Sequence, residues 1–497
     1  GGVLKRTVQH AELVPVNLRT YRYTWVLDSL DPAEQRFCEQ VGGGFACGKT
    51  LNVTLRASSS SPLIDAKSAS RDTNSLFAYE PKGAADTAYL AYGRHLQNLD
   101  QASKVDASIT KAVQVSDISF HDDATSQTDW YSVYNDMPFT PIDNSCLRSF
   151  DGSSSLDGQT LYASIHGLHV ADQGQEDAGL FRRAAGSICS VTLTGARIDG
   201  GNYVGAIAGL VSGELELSGC RVSLSQTQGD ITDEAKAESA GEVRPWLRGK
   251  QTGGLLGRVS GTGSAKITGC LAATVIEAEE HAGGLVGETG CALSIEDSYA
   301  DCYLSAPYTG GLVGWIYESE TARIALSRVY AAGYQTAGRQ AAGFAPGELD
   351  SVHSSYAAFD YAAQEDGLTV YSTAAGCRTA PQNVLYLSGF SELDTPMPGT
   401  QGMSFEALSG EEAVTALGAD VFTLASGDAT YAYNLLEQGL MTYSYPRLKA
   451  LDHYGDWQAR FESGSLVYYE VYWDEETKAY AYGFSGANKS TLRTGCT

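Results

Sequence analysis

A short glycine motif recurs through the middle of the chain and constrains the fold more than any other feature. The steps between its copies are similar in length, except for one much longer step between Ala206 and Gly254. A motif that returns at this period indicates a repeat architecture. The copies are DAGLF at 177–181, VGAIAG at 204–209, TGGLLG at 252–257, AGGLVG at 282–287, TGGLVG at 309–314 and AAGFAPG at 341–347.

Between the glycine motifs lie short runs in which apolar and polar residues alternate, such as ELELSGCRVSL and SAKITGCLAAT. Alternation with a period of two predicts strands rather than helices. A unit this small cannot bury its own apolar face, so neighbouring units must stack. The sequence therefore predicts an all-β fold, a right-handed parallel β-helix in which glycines form sharp corners while Leu and Val point inward.

Stacking the units in register predicts three columns of side chains that run along the axis. Cys220 and Cys270 would then lie about 4.8 Å apart, which is the strand spacing, and either a disulfide or two buried thiols fits that distance. The inward column is Val222, Ala272, Ala300, Ala331 and Ala357. The adjoining column is Cys220, Cys270, Ser298, Val329 and Ser355. The outward column is Arg221, Leu271, Tyr299, Tyr330 and Tyr356.

The motif copies and their flanks together resemble the GLUG repeat family of large bacterial surface proteins, over residues 85–460. Upstream, AYLAYGRHLQNLD (88–100) resembles the family's entry helix, and FTPIDNSCLRSFDG (139–152) resembles its first coils. Downstream, TYSYPRLKALDHYGDW (442–457) resembles the closing segment of surface and pilin-like proteins of gut Firmicutes. The resemblance implies an extracellular location on the bacterial surface, within a longer anchored or secreted protein. The last motif copy, in which GFAPG replaces GLVG, is interpreted as the end of the array.

The sequence divides by pattern into three parts. Residues 1–85 predict a small β-rich N-terminal domain, and residues 86–460 the β-helix with its entry helix and closing segment. Residues 461–497 contain SLVYYEVYWDEETKAYAYGF, two alternating aromatic runs about a polar turn. This pattern predicts a β-hairpin that begins a further β domain.

The stretch GGGFACGKT at 42–50 matches a phosphate-binding P-loop pattern. Such a loop needs a strand before it and a helix directly after its lysine, because the helix amides hold the phosphate. Here a helix-like run, DPAEQRF, precedes the loop and a strand-like run, TLNVTLR, follows it, which argues against nucleotide binding. A glycine-rich turn, either open or closed by a Cys38–Cys47 disulfide, is the simpler interpretation.

Composition and motifs exclude several classes of partner and chemistry. The protein has 59 acidic and 34 basic residues, a formal net charge of −25, which disfavours nucleic acid and anionic membranes. No apolar run is long enough for membrane insertion in this segment. GLUG-type regions also occur in bacterial IgA-cleaving metalloproteases, but this sequence lacks the HExxH zinc motif of those enzymes. It also lacks G-x-S-x-G and paired CxxC motifs, so no enzyme, cofactor or metal site is predicted.

Acidic clusters leave one catalytic alternative open. Glu279-Glu280-His281, Glu296-Asp297 and His121-Asp122-Asp123 could line a groove on neighbouring coils. Two carboxyl groups at a suitable separation are the machinery of glycoside hydrolysis. In so acidic a protein, the same clusters are also expected as solvated turns.

The long step between Ala206 and Gly254 predicts an insertion at 225–250, which ends in Arg244-Pro245-Trp246-Leu247-Arg248. Loops on a rigid solenoid commonly carry binding, and Trp and Arg are common anchors of interfaces. Arg244, Trp246 and Arg248 are therefore the predicted ligand-binding residues, although Trp246 could instead cover the neighbouring coil.

The sequence as a whole favours a non-enzymatic cell-surface module that presents loops to a host ligand. That ligand would be a glycan, a mucin or a host protein such as immunoglobulin. The alternatives are a structural stalk or pilus-type spacer, and a carbohydrate-active β-helix enzyme.

Overall fold

The structure is a computed structural model that describes most of the middle of the protein and several short segments outside it. The described residues are 8, 14–17, 20–22, 52–57, 67–72, 86–90, 93, 95–97, 99, 109–114, 117–120, 139–143, 146–156, 159–171, 177–223, 247–317, 321–363, 367–388, 394–408, 410–424, 446–449, 470–474 and 479–483.

Two antiparallel strand pairs are described in the N-terminal part. Strand β1 (Val14–Asn17) pairs with β2 (Thr20–Arg22), and β3 (Asn52–Ala57) pairs with β4 (Lys67–Asp72). Strand β3 begins at Asn52, where a P-loop would continue into its helix, and this argues against nucleotide binding. The loop itself and the Cys38–Cys47 pair lie outside the described residues.

The middle of the protein is a parallel β-solenoid of about six turns, which confirms the predicted fold class. In the described part of the sequence, 27 of the strands between β5 and β35 form one continuous sheet. The strands are β5 (Thr87–Leu90), β6 (Lys111–Gln114), β7 (Ile118–Ser119), β8 (Ser149–Asp151), β9 (Ser153–Leu156), β10 (Gln159–Tyr162), β11 (Ser164–His166), β12 (His169–Ala171), β13 (Asp177–Ala178), β14 (Phe181–Cys189), β15 (Thr192–Thr194), β16 (Arg197–Asp199), β17 (Tyr203–Gly205), β18 (Ala208–Ser218), β19 (Arg221–Ser223), β20 (Leu247–Gly253), β21 (Leu256–Val259), β22 (Ser264–Thr268), β23 (Leu271–Ala273), β24 (Val275–Gly283), β25 (Val286–Thr289), β26 (Ala292–Gly310), β27 (Val313–Ile316), β28 (Arg323–Ala342), β29 (Ala345–Leu349), β30 (Ser351–Ala363), β31 (Thr369–Tyr371), β32 (Ala374–Cys377), β33 (Gln382–Leu387), β34 (Asp394–Thr395) and β35 (Thr400–Met403).

The predicted inward column is confirmed by the strand register. Val222 pairs with Ala272, which pairs with Ala300, and the series continues through Ala331 to Ala357. All five side chains are buried. Small residues at these positions let the strands on opposite sides of the coil approach, which explains the narrow interior.

The adjoining column contains free thiols rather than a disulfide. Cys220 and Cys270 are fully buried, and the backbone N–H of Cys220 donates to Cys270 Sγ at 3.3 Å. Burial raises the pKa of the Cys220 thiol well above its ordinary value, and the neighbouring Cys270 raises it further. Cys220 therefore remains a protonated thiol, and both residues serve as small core side chains.

One corner of the coil is built by residues in the left-handed conformation. In consecutive coils the position is held by Gly219, Gly269, Asp297 (φ 50°) and Arg328 (φ 49°). Arg328 is a costly residue there, since its side chain offers no local compensation for the strain. Asp297, at the same corner of the preceding coil, stabilises Arg328 in this conformation. The Arg328 guanidinium donates to both carboxylate oxygens of Asp297, at 2.5 and 2.9 Å.

A second core lies outside the coil and corrects part of the outward column. Tyr299, Tyr330 and Tyr356 point away from the coil axis, as predicted, but they are buried rather than exposed. Their rings stack in a ladder, with centroids 4.5 and 4.9 Å apart. The segment that follows the coil covers this ladder with two short helices, α1 (Phe405–Leu408) and α2 (Glu411–Leu417), and with the strand pair β36 (Phe422–Thr423) and β37 (Arg447–Leu448).

Two details of the predicted repeat differ from the structure. Gly179 aligns with Gly205 rather than with Ala206, because the first glycine motif is one residue shorter. The copy at 341–347 does not end the array, since β31, β33 and β35 extend the same parallel sheet beyond it.

The two ends of the coil domain match the prediction in part. Near the start, residues 93, 95–97 and 99 are helical and bury Leu96 and Leu99, as expected of an entry helix. A short strand, β5, precedes them. In the C-terminal part, β38 (Glu470–Asp474) and β39 (Ala479–Gly483) pair antiparallel and form the predicted hairpin. No helix among the described residues has both the length and the apolar character to span a membrane.

Candidate functional site

Each glycine motif folds into a tight arch that joins two strands of one coil. In the copy at 252–257, a side chain on Gly253 would place its Cβ 2.1 Å from the Leu256 carbonyl oxygen. A Cβ on Gly257 would lie 2.5 Å from the carbonyl oxygen of Gly209 in the preceding coil. The glycines are therefore required by backbone contact within and between arches. Leu255 and Leu256 fill the interior beneath the arch and are fully buried.

The residues on either side of each arch form two facing columns along the solenoid. The strand register places Tyr203, Gln251, His281, Tyr308 and Gln340 in line before the arches. It places Leu210, Arg258, Glu288 and Trp315 in line after them. The two columns face each other across the arch, since His281 Nδ1 lies 3.1 Å from Glu288 Oε2. We call seven of these residues, together with Tyr317, which follows Trp315 by two positions, the arch-flank cluster. The cluster consists of Tyr203, Gln251, Arg258, His281, Glu288, Tyr308, Trp315 and Tyr317.

A buried carboxylate lies at the centre of the cluster. Glu288 is fully buried, with His281 Nδ1 3.1 Å from its Oε2 and Arg258 Nε 3.0 Å from its Oε1. A carboxylate removed from water in this way requires cationic or hydrogen-bonding partners. The arch supplies them because His281 and Glu288 flank the same motif copy, while Arg258 is the register neighbour of Glu288 in the preceding coil.

Aromatic rings surround this carboxylate. The imidazole of His281 stacks on the indole of Trp315, with centroids 5.2 Å apart and 7° between the planes. Tyr308 contacts both rings edge-on, at 5.5 and 4.8 Å between centroids. Trp315 and Tyr308 are half-buried, so part of each ring faces the solvent.

The guanidinium of Arg258 lies close to two tyrosine rings. Its guanidinium carbon lies 4.9 Å from the ring centroid of Tyr203 and 5.5 Å from that of Tyr317. Nη1 also donates to the hydroxyl of Tyr203. Burial raises the pKa of the Tyr317 phenol, and the negative charge of Glu288 raises it further, so Tyr317 remains neutral. Tyr317 is nevertheless 42% exposed and forms the outer edge of the cluster.

Several buried polar atoms in the cluster and in the adjoining residue Thr252 lack hydrogen bonds. These atoms are Gln251 Oε1, Thr252 Oγ1, Arg258 Nε and Glu288 Oε1. The last two form an ion pair by distance, but their orientation does not meet hydrogen-bond geometry. Unsatisfied buried polar groups are uncommon in folded proteins and concentrate at functional sites.

Of the predicted ligand-binding residues, the structure describes Arg248; Arg244 and Trp246 fall outside the described residues. Arg248 lies in β20, where its Nη2 binds Glu277 Oε2 of the next coil at 2.8 Å. Residues 247–250 of the predicted insertion therefore belong to a strand of the coil, and the rest of it lies outside the described residues. The structure does not bring Arg248 into the arch-flank cluster.

The predicted acidic clusters are separately neutralised. Glu280 accepts hydrogen bonds from Gln251 and pairs with Lys250 at 3.1 Å, while Glu296 and Asp297 bind Arg328 at the left-handed corner. They belong to different corners of the coil, so they do not form a catalytic carboxylate pair. The cluster at 121–123 lies outside the described residues. Among the residues that the structure describes, no three His, Cys, Asp or Glu side chains are grouped to hold a metal ion.

His281 is the one cluster residue that the sequence analysis named, as part of the acidic cluster Glu279-Glu280-His281. The sequence does contain a signal for six of the others and His281, because they directly flank copies of the glycine motif. Three copies with their flanking residues read Q-TGGLLG-R, H-AGGLVG-E and Y-TGGLVG-W. The glycines alone predict corners, and they do not show that the variable residues beside them form facing columns. Predicting that these side chains meet requires knowing how closely the two strands of an arch approach each other.

Two solved structures are similar to this protein. One is described as a "putative immunoglobulin A1 protease" from Bacteroides ovatus, with 13% identity and a TM-score of 0.39, covering 76% of this chain and 96% of that chain. The other, described as "IgA1 Protease", has 16% identity and a TM-score of 0.38, covering 72% of this chain and 23% of that chain. No protein-family model and no curated protein matches the sequence.

These comparisons correct one prediction. Both similar structures are described as proteases, which contradicts the expectation that the protein is not an enzyme, and that expectation is withdrawn. At TM-scores below 0.4 the likeness gives no mechanism, and it assigns no catalytic residue to this protein.

Proposed function

We propose that this protein binds a partner protein through the arch-flank cluster. The observation that carries the proposal is the set of contacts of Arg258, whose guanidinium lies near the rings of Tyr203 and Tyr317 and forms an ion pair with the buried Glu288. Trp, Tyr and Arg are the residue types that contribute most to protein interfaces. An arginine already held in one conformation loses little entropy when a partner binds.

The rigid scaffold supports the same proposal. The arches have no room for side-chain or backbone adjustment, since each glycine is in contact with a neighbouring backbone. Surface groups on such a support keep fixed spacings, set by the strand separation of about 4.8 Å. A solenoid thus presents a preformed surface, as repeat proteins commonly do.

Immunoglobulin is the first partner to test. It is among the host ligands that the sequence favours, and both similar structures are described by their relation to IgA1. An extracellular location and membership of the GLUG-type repeat proteins are proposed with it, since both rest on the resemblance of the repeats and flanks.

The test measures binding of the 497-residue protein to immobilised immunoglobulin A by interferometry, with mucin and serum albumin in parallel. Tyr317→Ala, alone and with Tyr308→Ala, is expected to weaken binding about tenfold or more, as truncation of interface anchors does. Tyr303→Ala is the matched control, because Tyr303 is a half-buried, stacked tyrosine outside the cluster.

The same experiment separates the competing interpretations. Arg248→Ala tests the insertion site, and a loss of binding there with none in the tyrosine variants would refute the cluster. A spacer predicts no cluster-dependent binding to any of the proteins. Electrophoresis of the immunoglobulin after incubation detects cleavage, which would add a catalytic role to the binding.

A further inference from the structure

Two nitrogens of the Arg258 guanidinium have partners in the protein, and the third has none. Nε lies 3.0 Å from Glu288 Oε1, and Nη1 donates to Tyr203. Its guanidinium carbon lies 4.9 Å from the ring centroid of Tyr203 and 5.5 Å from that of Tyr317. Nη2 has no hydrogen-bond partner among the described residues, and 29% of the side chain is exposed. Nη2 is therefore the guanidinium nitrogen that remains open to a ligand.

The edge that carries Nη2 has the geometry of a carboxylate receptor. Arginine presents parallel N–H donors that match the two oxygens of a carboxylate, and such pairs are short and directional. Two rings and an ion pair already hold the guanidinium in place, so little side-chain entropy remains to be lost.

The surroundings select a singly charged, planar group over a phosphate. Glu277 and Glu280 lie on β24, and each is paired with a cation of β20. Glu288 itself balances one positive charge at the centre of the cluster. With these charges paired, the protein's net charge of −25 opposes a doubly charged phosphate more strongly than a singly charged carboxylate.

Arg258 is poorly placed for a purely structural role. Glu288 is fully buried, yet neither Arg258 Nε nor Glu288 Oε1 meets hydrogen-bond geometry with the other. A counter-ion selected only to neutralise Glu288 would be expected to align with it, because buried ion pairs stabilise only when their geometry is good.

From these contacts we infer that Arg258 anchors a carboxylate of the partner protein, either an Asp or Glu side group or the partner's terminal carboxylate. The inference rests on the proposed function and specifies the chemistry that the partner must present. It assigns Arg258 the central contact and makes Tyr203 and Tyr317 its positioning residues.

Arginine modification tests this directly on the 497-residue protein. Phenylglyoxal modifies accessible guanidinium groups, and peptide mass mapping follows each arginine separately. N-acetylglutamate is expected to slow modification of Arg258 severalfold, whereas N-acetylglutaminamide, which has no carboxylate, is not expected to do so at the same ionic strength. Arg248, 43% exposed and already paired with Glu277, is the internal control and should be unaffected.

Each outcome decides the inference. Equal protection by both amino-acid derivatives would mean a neutral acceptor, and equal protection of Arg248 would mean general screening; either result overturns it. Failure of phenylglyoxal to reach Arg258 also overturns it, since Nη2 would not be open to a ligand.

A second variant distinguishes failure of the carboxylate anchor from failure of the proposed function. Arg258→Lys preserves the charge beside Glu288 but removes the fork, so immunoglobulin binding should fall while thermal stability changes little. If Tyr317→Ala weakens binding and Arg258→Lys does not, the carboxylate anchor is wrong and the proposed function stands. If neither variant changes binding, both are wrong.

Discussion

His281 stacks on Trp315 across a glycine arch, although the two residues belong to different columns and to successive coils. The contact is diagonal: His281 precedes one arch, and Trp315 follows the next. It joins the two columns into one packed layer that covers Glu288. The folding of the coil and the shape of its surface therefore depend on the same side chains.

Replacing the buried carboxylate should destabilise the coil. Glu288→Gln leaves Arg258 and His281 without their anion. We expect the free energy of unfolding to fall by about 2–4 kcal/mol. This is somewhat less than for breaking a fully buried ion pair, because Arg258 is partly exposed. Urea unfolding measures the difference. Glu277→Gln, which removes an exposed ion pair with Arg248, should cost less than about 1 kcal/mol. Similar losses for the two variants would contradict this account of Glu288.

Adding one methyl group to an arch should be more damaging than most core substitutions. In Gly283→Ala the new Cβ would lie 1.9 Å from the Val286 carbonyl oxygen and 2.4 Å from the Gly314 amide nitrogen, so the backbone must move. We expect a loss of more than about 3 kcal/mol or failure to fold.

The control for this variant is Gly376→Ala, where the nearest atom to a Cβ is Glu348 Cγ at 3.8 Å. Its melting temperature, measured by circular dichroism, should be close to that of the parent protein. An equally small shift in Gly283→Ala would show that the arches are not as closed as the structure has them.

The tyrosine ladder should hold the closing segment on the coil. Tyr330→Ala removes the middle ring from beneath Phe422 and is expected to cost about 3–5 kcal/mol, as large-to-small changes in a core do. Hydrogen exchange of α2 should accelerate at the same time. Tyr303→Ala, outside this second core, should leave α2 exchange unchanged. Acceleration in both variants would indicate general destabilisation instead.

Stability should fall toward acid pH through His169. Burial lowers the pKa of His169, and the positive charge of Arg197 lowers it further, so the folded state favours the neutral imidazole. The unfolded state binds the proton more readily, with a pKa near 6.5. The stabilising contribution is therefore complete above that pH and is lost as the pH falls through the lower, folded-state pKa.

His169→Gln should remove this part of the pH dependence when urea midpoints are compared at neutral and mildly acidic pH. The effect on the free energy of unfolding should be well below about 1.4 kcal/mol, because the ring is only half-buried. His353→Gln, at an exposed position, should leave the profile unchanged. A profile that is the same in His169→Gln and the parent protein would rule out this origin.

Much of the coil could be predicted without coordinates. Alternation between the glycine motifs indicated strands, and the motif period aligned Val222, Ala272 and Ala300 as neighbours in one column. The alternation and the glycine motif each lie within a single unit, and both recur in every unit. Stacking in register then follows, because it is the arrangement that buries the apolar face of every coil.

The exposed or buried state of the outward column could not be predicted in the same way. Tyr299, Tyr330 and Tyr356 point outward in any in-register coil, but α1, α2 and Phe422, distant in sequence, cover them. No periodic signal in the repeats shows which outer face a later segment will occupy. Their burial is a tertiary contact between segments with unrelated patterns.

The amino-acid sequence by itself determined the all-β class, the repeat and the strand register of this protein, because glycine spacing and alternation act within each unit. Only the tertiary structure decided that Arg258, His281 and Glu288 meet, since their contact depends on how far each arch closes and on which coil lies next to it. Packing distances across and between coils are set by the assembled fold, and these distances created the cluster.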